Sequence, residues 1–246
     1  MIEKRVFAFW TGSNEMSPER QKCLQSLGNT DLDVVLVTPS TLDNWVLPEH
    51  PLHSAYEYLS AVHKSDYLRP YFMHYHGGGY ADIKLTTASW RPAFDQLAKT
   101  PDAYAIGYRE KSGKGVAHIH RHRLLGKSYI LNNQTNTFAN TMRYRWLRSQ
   151  WRSLIGMCGY ICKPASPFTS DWLSQVEDRL DLLLPALRSN PATNPRAASD
   201  QPPASGETAY PLPWSAICAD VIHPLVYRHR RHILQGLPAP SFKNYL

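Results

Sequence analysis

The sequence predicts an α/β domain with a mainly parallel central sheet, on three observations. Two short apolar runs flank a punctuated helix, a longer helix leads into three consecutive glycines, and a further strand-like run follows those glycines directly. With 246 residues, 43% of them hydrophobic, the chain can bury a full core, and its length fits one domain spanning residues 1–246.

Residues 5–10, "RVFAFW", and 33–38, "DVVLVT", are β-branched and aromatic runs bounded by turn residues, as expected for strands buried on both faces of a parallel sheet. Between them Ser17 is a natural N-cap, Pro18 suits the first helical position, and Gly28 stands past Leu27 as a stop. Strand, helix, strand is a βαβ unit with a right-handed crossover, the opening of a Rossmann-type nucleotide-binding domain. A second helix is predicted over residues 54–76, with Leu59, Val62, Leu68, Phe72 and Tyr75 on its apolar face. Pro70 would cost about 3 kcal/mol inside a straight helix, so a kink or a restart is expected there. After Gly77, Gly78 and Gly79, residues 80–85 read as a third strand and residues 103–110 as a fourth. Residues 112–150 look mostly like loop, with room for short helices. A clearer helix is capped by Thr169 or Ser170, repeats Trp172, Leu173, Val176, Leu180, Leu183 and Leu184 at helical spacing, and ends near Pro185. Residues 189–213, with six prolines, read as a flexible loop, and residues 214–246 as a helical and loop tail packing back on the domain.

The net charge of +7 is unevenly placed. Residues 109–152 hold ten Lys or Arg against one acid, Glu110, a local balance of +9, so the rest of the chain sums to −2. Such a block faces an anionic partner or lies open to water, and phosphates of a nucleotide, a lipid head group or a nucleic acid would all serve. Within it Arg143, Arg145, Arg148 and Arg152 interleave with Tyr144, Trp146 and Trp151, which suits base stacking, a sugar platform or a membrane-surface patch. No zinc-finger, RNA-recognition or basic-zipper signature accompanies them, so nucleic acid is not the expected partner. His118, His120 and His122 would share one face of a strand, but arginines surround them without a carboxylate, so they read as anion-facing surface rather than a zinc site. Cys23, Cys158, Cys162 and Cys218 are scattered and read as free buried thiols. No apolar run approaches the ~18 residues that span a bilayer, and the amino-terminal stretch lacks a signal-type apolar core, so a cytoplasmic location is expected.

Asp66 and Arg69 stand three apart on one helical face, a spacing that makes a local ion pair and also lets an acid meet a sugar hydroxyl beside a phosphate-holding guanidinium. Glycines permit close backbone approach to a ligand or positive φ, and a strand following them would place Asp82 and Lys84 on one face. The block "KSDYLRPYFMHYHGGGYADIK" resembles the glycosyltransferase family with the sugar-binding region containing the DXD motif, the group of capsular polysaccharide and mannosyl or galactosyl transferases. The shared pattern is a helix ending S-D-x-x-R, a Gly-Gly turn, an aromatic residue and then D-x-D. "FAFWTG", "GYICKPASPFTSDWL" and "WSAICADVIHPL" are similar, more weakly, to other segments of that family.

The resemblance implies a GT-A-like nucleotide-sugar-binding domain. It also implies transfer of a sugar, with retained configuration in related families, from a nucleoside diphosphate sugar to a hydroxyl of a surface glycan or lipid-linked acceptor at the inner face of the membrane. By position it implies Phe9, Trp10 and Thr11 at the nucleobase, Asp66 on sugar hydroxyls, Arg69 on sugar or phosphate, Gly78, Gly79 and Tyr80 beside the donor, and Asp82 near ribose and diphosphate. Asn132, Asn133, Trp214, Asp220 and His223 are candidates for the acceptor side or for a tail closing over the donor.

Lys84 departs from the family pattern, standing where the second aspartate touches Mn²⁺ or Mg²⁺. A divalent cation ~5 Å from an ammonium meets roughly 7 kcal/mol of repulsion at an effective dielectric of about 20. Three outcomes stay open. Lys84 itself stabilises the leaving diphosphate without a metal; or it turns aside and Asp220 or His223 completes a metal site with Asp82; or catalysis is lost and nucleotide-sugar binding kept.

Overall fold

The computed structural model describes residues 2–200 and 209–243. In chain order the elements are β1 (Arg5–Phe9), α1 (Pro18–Ser26), β2 (Asp33–Val37), α2 (Ala61–Tyr75), β3 (Gly78–Ala81), α3 (Arg91–Ala98), β4 (Ala105–Arg109), β5 (Ser128–Ile130), β6 (Asn133–Thr135), α4 (Thr137–Ser149), β7 (Ile155–Cys162), α5 (Pro167–Ser189), α6 (Ala219–Arg228) and β8 (Ile233–Gln235). Six strands form one sheet in the order β2-β1-β3-β7-β4-β8, and β5 with β6 makes a separate hairpin. β1 pairs in parallel with β2 and β3, and β4 with β8. β7 runs antiparallel between β3 and β4. The protein is therefore α/β, with a mixed and mostly parallel sheet.

Alternation along β1 sends Phe7 and Phe9 to one face of this sheet and Val6 and Ala8 to the other. Phe72 of α2, Trp172 and Leu180 of α5 and Leu225 of α6 cover the first face. Cys23 of α1, Trp90, and Phe94 and Leu97 of α3 cover the second. Because α1 and α2 lie on opposite faces, the connections into β2 and into β3 leave on opposite sides. β1 and β3 are thus the neighbours at which the winding reverses, and open α/β sheets take ligands in the crevice beyond the carboxyl ends of such a pair.

Several expected boundaries move, each for a local reason. α1 starts as its punctuation predicts, with the Ser17 side chain accepting the Arg20 amide at 3.3 Å. Its end tightens into a 3-10 turn, Leu27–Thr30, and Asp31 rather than Gly28 takes the left-handed conformation at φ 58°. β2 lies at the sheet edge and is only partly buried, although Val35 and Val37 pack on one face of the sheet and Val34 and Leu36 on the other. α2 begins at Ala61 because Leu59 is extended and Ser60 caps the His63 amide; it then passes through Pro70 without restarting. β3 starts at Gly78 and stops at Ala81, before Asp82. Ser166, not Thr169 or Ser170, caps α5, in a reciprocal box with Thr169, and the helix continues through Pro185 to Ser189.

Residues 112–150, expected as mostly loop with room for short helices, contain the β5–β6 hairpin and a longer, 13-residue helix, α4. β7 has no counterpart in the sequence reading. Of the proline-rich stretch, residues 201–208 lie outside the described residues; the rest forms no helix or strand beyond the end of α5, as a loop should, but Ala197, Ala198, Tyr210 and Leu212 are buried, more packing than its composition suggests. The four cysteines are free thiols, three of them buried and Cys158 partly so.

Candidate functional site

The glycines act within the sheet. Gly77 and Gly78 have φ of 65° and 81°, which residues with side chains rarely adopt. A Cβ on Gly77 would lie 2.6 Å from Pro164 Cδ, one on Gly78 3.0 Å from the Arg5 carbonyl oxygen, and one on Gly79 3.2 Å from Val6 Cγ2. The space they leave is filled by the protein itself. Gly77 and Gly78 thus take the positive φ, one of the two uses expected of them, and Gly78 and Gly79 let β3 fit closely against β1.

Past β3 the chain turns sharply. The Asp82 amide still donates to the Cys158 carbonyl at 2.9 Å, and the Lys84 amide donates back to the Asp82 carbonyl at 2.7 Å, closing a three-residue turn around the buried Ile83. This turn, rather than strand alternation, sets the Asp82 and Lys84 side chains together. Lys84 Nζ donates to Asp82 Oδ2, and to Cys158 Sγ at 3.2 Å. Asp82 Oδ1 accepts from the Tyr80 hydroxyl at 2.6 Å and from Arg69 Nη2 at 3.2 Å. The same Nη2 lies 3.3 Å from Asp66 Oδ1, while Arg69 Nη1 donates to Cys218 Sγ at 3.1 Å. The guanidinium carbon sits 4.7 Å from the centre of the Tyr80 ring, and buried Arg69 Nε has no hydrogen-bond partner among the described residues.

These contacts decide the charges. Burial works against an ionised Asp82, but Arg69 and Lys84 outweigh it and hold the carboxyl well below the usual range. Burial also opposes the Lys84 charge, and the Asp82 carboxylate overcomes it, raising the lysine. Asp66 moves the other way, since burial raises its carboxyl against the pull of Arg69. Burial pushes the Cys158 thiol up to about 11, so it is protonated at neutral pH.

The residues around Asp82 do not fit Mn²⁺ or Mg²⁺. Each carboxylate oxygen faces a cationic side chain, Arg69 on Oδ1 and Lys84 on Oδ2, where a hard divalent ion needs oxygen ligands. The expected supplements have other partners. Asp220 takes His122 Nδ1 at 2.7 Å and the Ser215 hydroxyl at 2.8 Å. His223 Nδ1 accepts the Ala117 amide at 3.0 Å, and its Nε2 lies 4.0 Å from Glu110. Among the described residues no group of three or more His, Cys, Asp or Glu is arranged to hold a metal.

Asp66, Arg69, Tyr80, Asp82 and Lys84 thus form one cluster, from a helix, a strand and a turn far apart in their backbone roles. Phe9 does not offer a face to a nucleobase: strand alternation turns it into the core, edge-on to Phe72 at 4.9 Å and against Tyr80 at 5.2 Å. Trp10 Nε1 donates to the Asn14 carbonyl at 2.7 Å, and the Thr11 hydroxyl donates to the Ala61 carbonyl at 2.5 Å, tying the end of β1 to the start of α2. Asn132 donates to Asp178 of α5 at 2.7 Å, and Asn133 is exposed on β6. The Trp214 amide donates to Asp200 at 2.7 Å.

Sequence reasoning missed three contributors. Cys158 and Cys218 touch Lys84 and Arg69, and the only signal for either was a buried thiol. Phe242 returns from the tail to within 5.6 Å of Lys84 Nζ, anchored by the Ser241 amide on the Leu85 carbonyl at 2.9 Å. No protein-family model matches the sequence, and no curated protein is significantly similar to it.

Proposed function

We propose that the chain is a GT-A-like glycosyltransferase that moves a sugar from a nucleoside diphosphate sugar to a hydroxyl of a surface glycan or lipid-linked acceptor. One observation carries the reading: Asp66, Arg69, Asp82 and Lys84 meet beside the end of β3, at the carboxyl end of the strand pair where the winding reverses. The resemblance of residues 64–84 to the DXD family supplies the reaction class.

In this reading Lys84 and Arg69 supply positive charge to the diphosphate as its bond to the anomeric carbon breaks, an electrostatic stabilisation fixed before the reaction begins. Asp82 is a positioning residue: it keeps both cations charged and aimed, and the Tyr80 hydroxyl fixes the carboxylate in turn. Asp66 takes the sugar hydroxyls. No step is assigned to a metal, because the cationic side chains occupy its place.

A thermal-shift screen of nucleoside diphosphates and their sugars, with and without EDTA, tests this. A ligand at 100 times its Kd stabilises by about 2.7 kcal/mol, or ~5–11 °C for a domain of this size. The expected result is such a shift with at least one nucleotide sugar, unchanged by EDTA. No shift with any of them overturns donor binding, and a shift lost in EDTA overturns the role given to Lys84. Donor hydrolysis by the same protein separates a transferase from a catalytically silent binder.

A further inference from the structure

Residues 111–152 contain nine Lys or Arg and no Asp or Glu. Once folded, α4 turns Asn140, Tyr144 and Leu147 inward and leaves Phe138, Met142 and Trp146 exposed by 76%, 47% and 49%. Their spacing of four residues sets them in a row along the helix, drifting by about 40° per step. Leu125, 51% exposed, joins them from the tip of a tight turn closed by reciprocal backbone bonds between Leu124 and Lys127. Arg123 Nη2 donates to the Thr137 hydroxyl at 3.3 Å, which holds that tip beside the first turn of α4. Four of the seven large exposed apolar side chains among the described residues therefore lie on this one unit. Leu125 also has a φ of 49°, an unfavourable conformation for a leucine, and gains no burial within the fold to offset it.

Cationic groups surround the apolar row. Arg145 and Arg148 of α4, with Lys114, Gly113, Ser149 and Trp151, line an open pocket of about 440 Å³. Its size and charge suit a phosphate head group. We infer that this face docks on an anionic lipid bilayer. Leu125, Phe138 and Met142 enter the acyl boundary, Trp146 sits at the interface, and the arginines meet lipid phosphates, the division of labour of an interfacial amphipathic helix. Charge complementarity alone would equally suit a nucleic acid. Of the four exposed apolar groups only Phe138 and Trp146 are aromatic, and they stand about two helical turns apart with Met142 between them, whereas a single-strand platform needs successive aromatic rings.

The docking rests on this surface and stands without the donor-site reading. The two join through topology. The basic segment leaves the sheet at the end of β4 and returns at the start of β7, and β4 runs parallel to β3 because both are antiparallel to β7. Asp82 follows β3 at that same end of the sheet, so the basic segment and the Asp82 cluster leave the sheet on one side.

Co-sedimentation of the full chain with vesicles tests the inference, using phosphatidylcholine alone and phosphatidylcholine mixed with phosphatidylglycerol. Expected is binding to the mixed vesicles only, weakened by salt. Phe138→Ser combined with Trp146→Ser should reduce it at least ~tenfold, and so should Arg145→Glu with Arg148→Glu, each basic residue near such a surface contributing about a fivefold change. Leu182→Ser, an exposed apolar residue of α5, should leave binding unchanged, and melting curves of all variants should match the parent because the altered side chains are exposed. Absence of binding, equal binding to neutral vesicles, or equal binding by the variants overturns it. Retention of a single-stranded oligonucleotide without vesicle binding also overturns it and assigns the face to nucleic acid. A failed nucleotide-sugar screen leaves every one of these outcomes readable.

Discussion

Asp82→Asn keeps the shape of the side chain and removes the charge that Arg69 and Lys84 share. At 3.2 Å and an effective dielectric of about 20, the Arg69–Asp82 attraction alone is roughly 5 kcal/mol before desolvation. Desolvation offsets much of that while the set is intact. Deleting the anion is different, because it leaves two cations, on side chains only 11% and 9% exposed, without it; loss of one partner from a buried pair costs about 3–5 kcal/mol. Asp66 remains 3.3 Å from Arg69, so the lower end applies, ~3 kcal/mol, or about 6–12 °C in Tm for a chain of this length. Urea and thermal unfolding of Asp82→Asn, Lys84→Met and the double variant measure it. The double variant should cost at least ~1 kcal/mol less than the sum, because Lys84→Met removes one of the stranded charges. The pH dependence has a definite sign. Asp82 has a depressed folded pKa, so its contribution is present above the unfolded value of about 3.9 and is lost as pH falls toward the folded value. The gap between parent and variant should therefore hold down to about pH 4 and close below it. A cost under ~1 kcal/mol, or strict additivity with Lys84→Met, would refute the positioning role of Asp82.

Lys84→Met should abolish the nucleotide-sugar thermal shift, and Mn²⁺ or Mg²⁺ should not restore it; restoration by either metal would show that the lysine blocks a cation site. Gly78→Ala should cost about 1–3 kcal/mol in urea unfolding, since φ is 81° and the new Cβ would lie 3.0 Å from the Arg5 carbonyl, and a neutral result would contradict the close fit of β3 against β1. His223 is fully buried, and burial lowers its pKa to about 4. The unfolded histidine takes its proton near 6.5 while the folded one does not, so roughly 3 kcal/mol of stability should be lost as pH falls from about 6.5 to about 4. His223→Gln, which keeps an acceptor for the Ala117 amide, should flatten that limb in denaturant titrations; an unchanged limb would show that another group controls it.

Legibility of the fold followed how local each cause is. The start of α1 was readable because Ser17 and Pro18 act within one turn, and β1 because its residues alternate between two apolar layers. β7 was not, because its glycines make sense only against partners distant in sequence. A Cβ on Gly159 would press the Trp90 ring at 3.1 Å, and one on Gly156 would overlap Tyr108. α4 was obscured by its own surface. An ordinary amphipathic helix shows polar residues outside, and Phe138, Met142 and Trp146 break that pattern on the solvent side.

The site was readable to the same limit. Asp66 and Arg69 are neighbours through a helical turn, which spacing alone placed, whereas Asp82 and Lys84 meet through a three-residue turn where strand alternation was expected. Their union needed the sheet, and the thiols needed more: Cys158 and Cys218 lie 74 and 149 positions from the side chains they contact. Lys84, at the position that the resembled pattern gives to its second aspartate, is consistent with this geometry. In a D-x-D site, one acid plus a divalent cation presents a single net positive charge, and an ammonium at that acid's position presents the same net charge without the ion. Asp82 is shared between two cations, Arg69 on one carboxylate oxygen and Lys84 on the other, so both positive side chains are held together at the end of β3. A lysine held this way is suited to a leaving diphosphate for the same electrostatic reason that makes it unsuited to a metal.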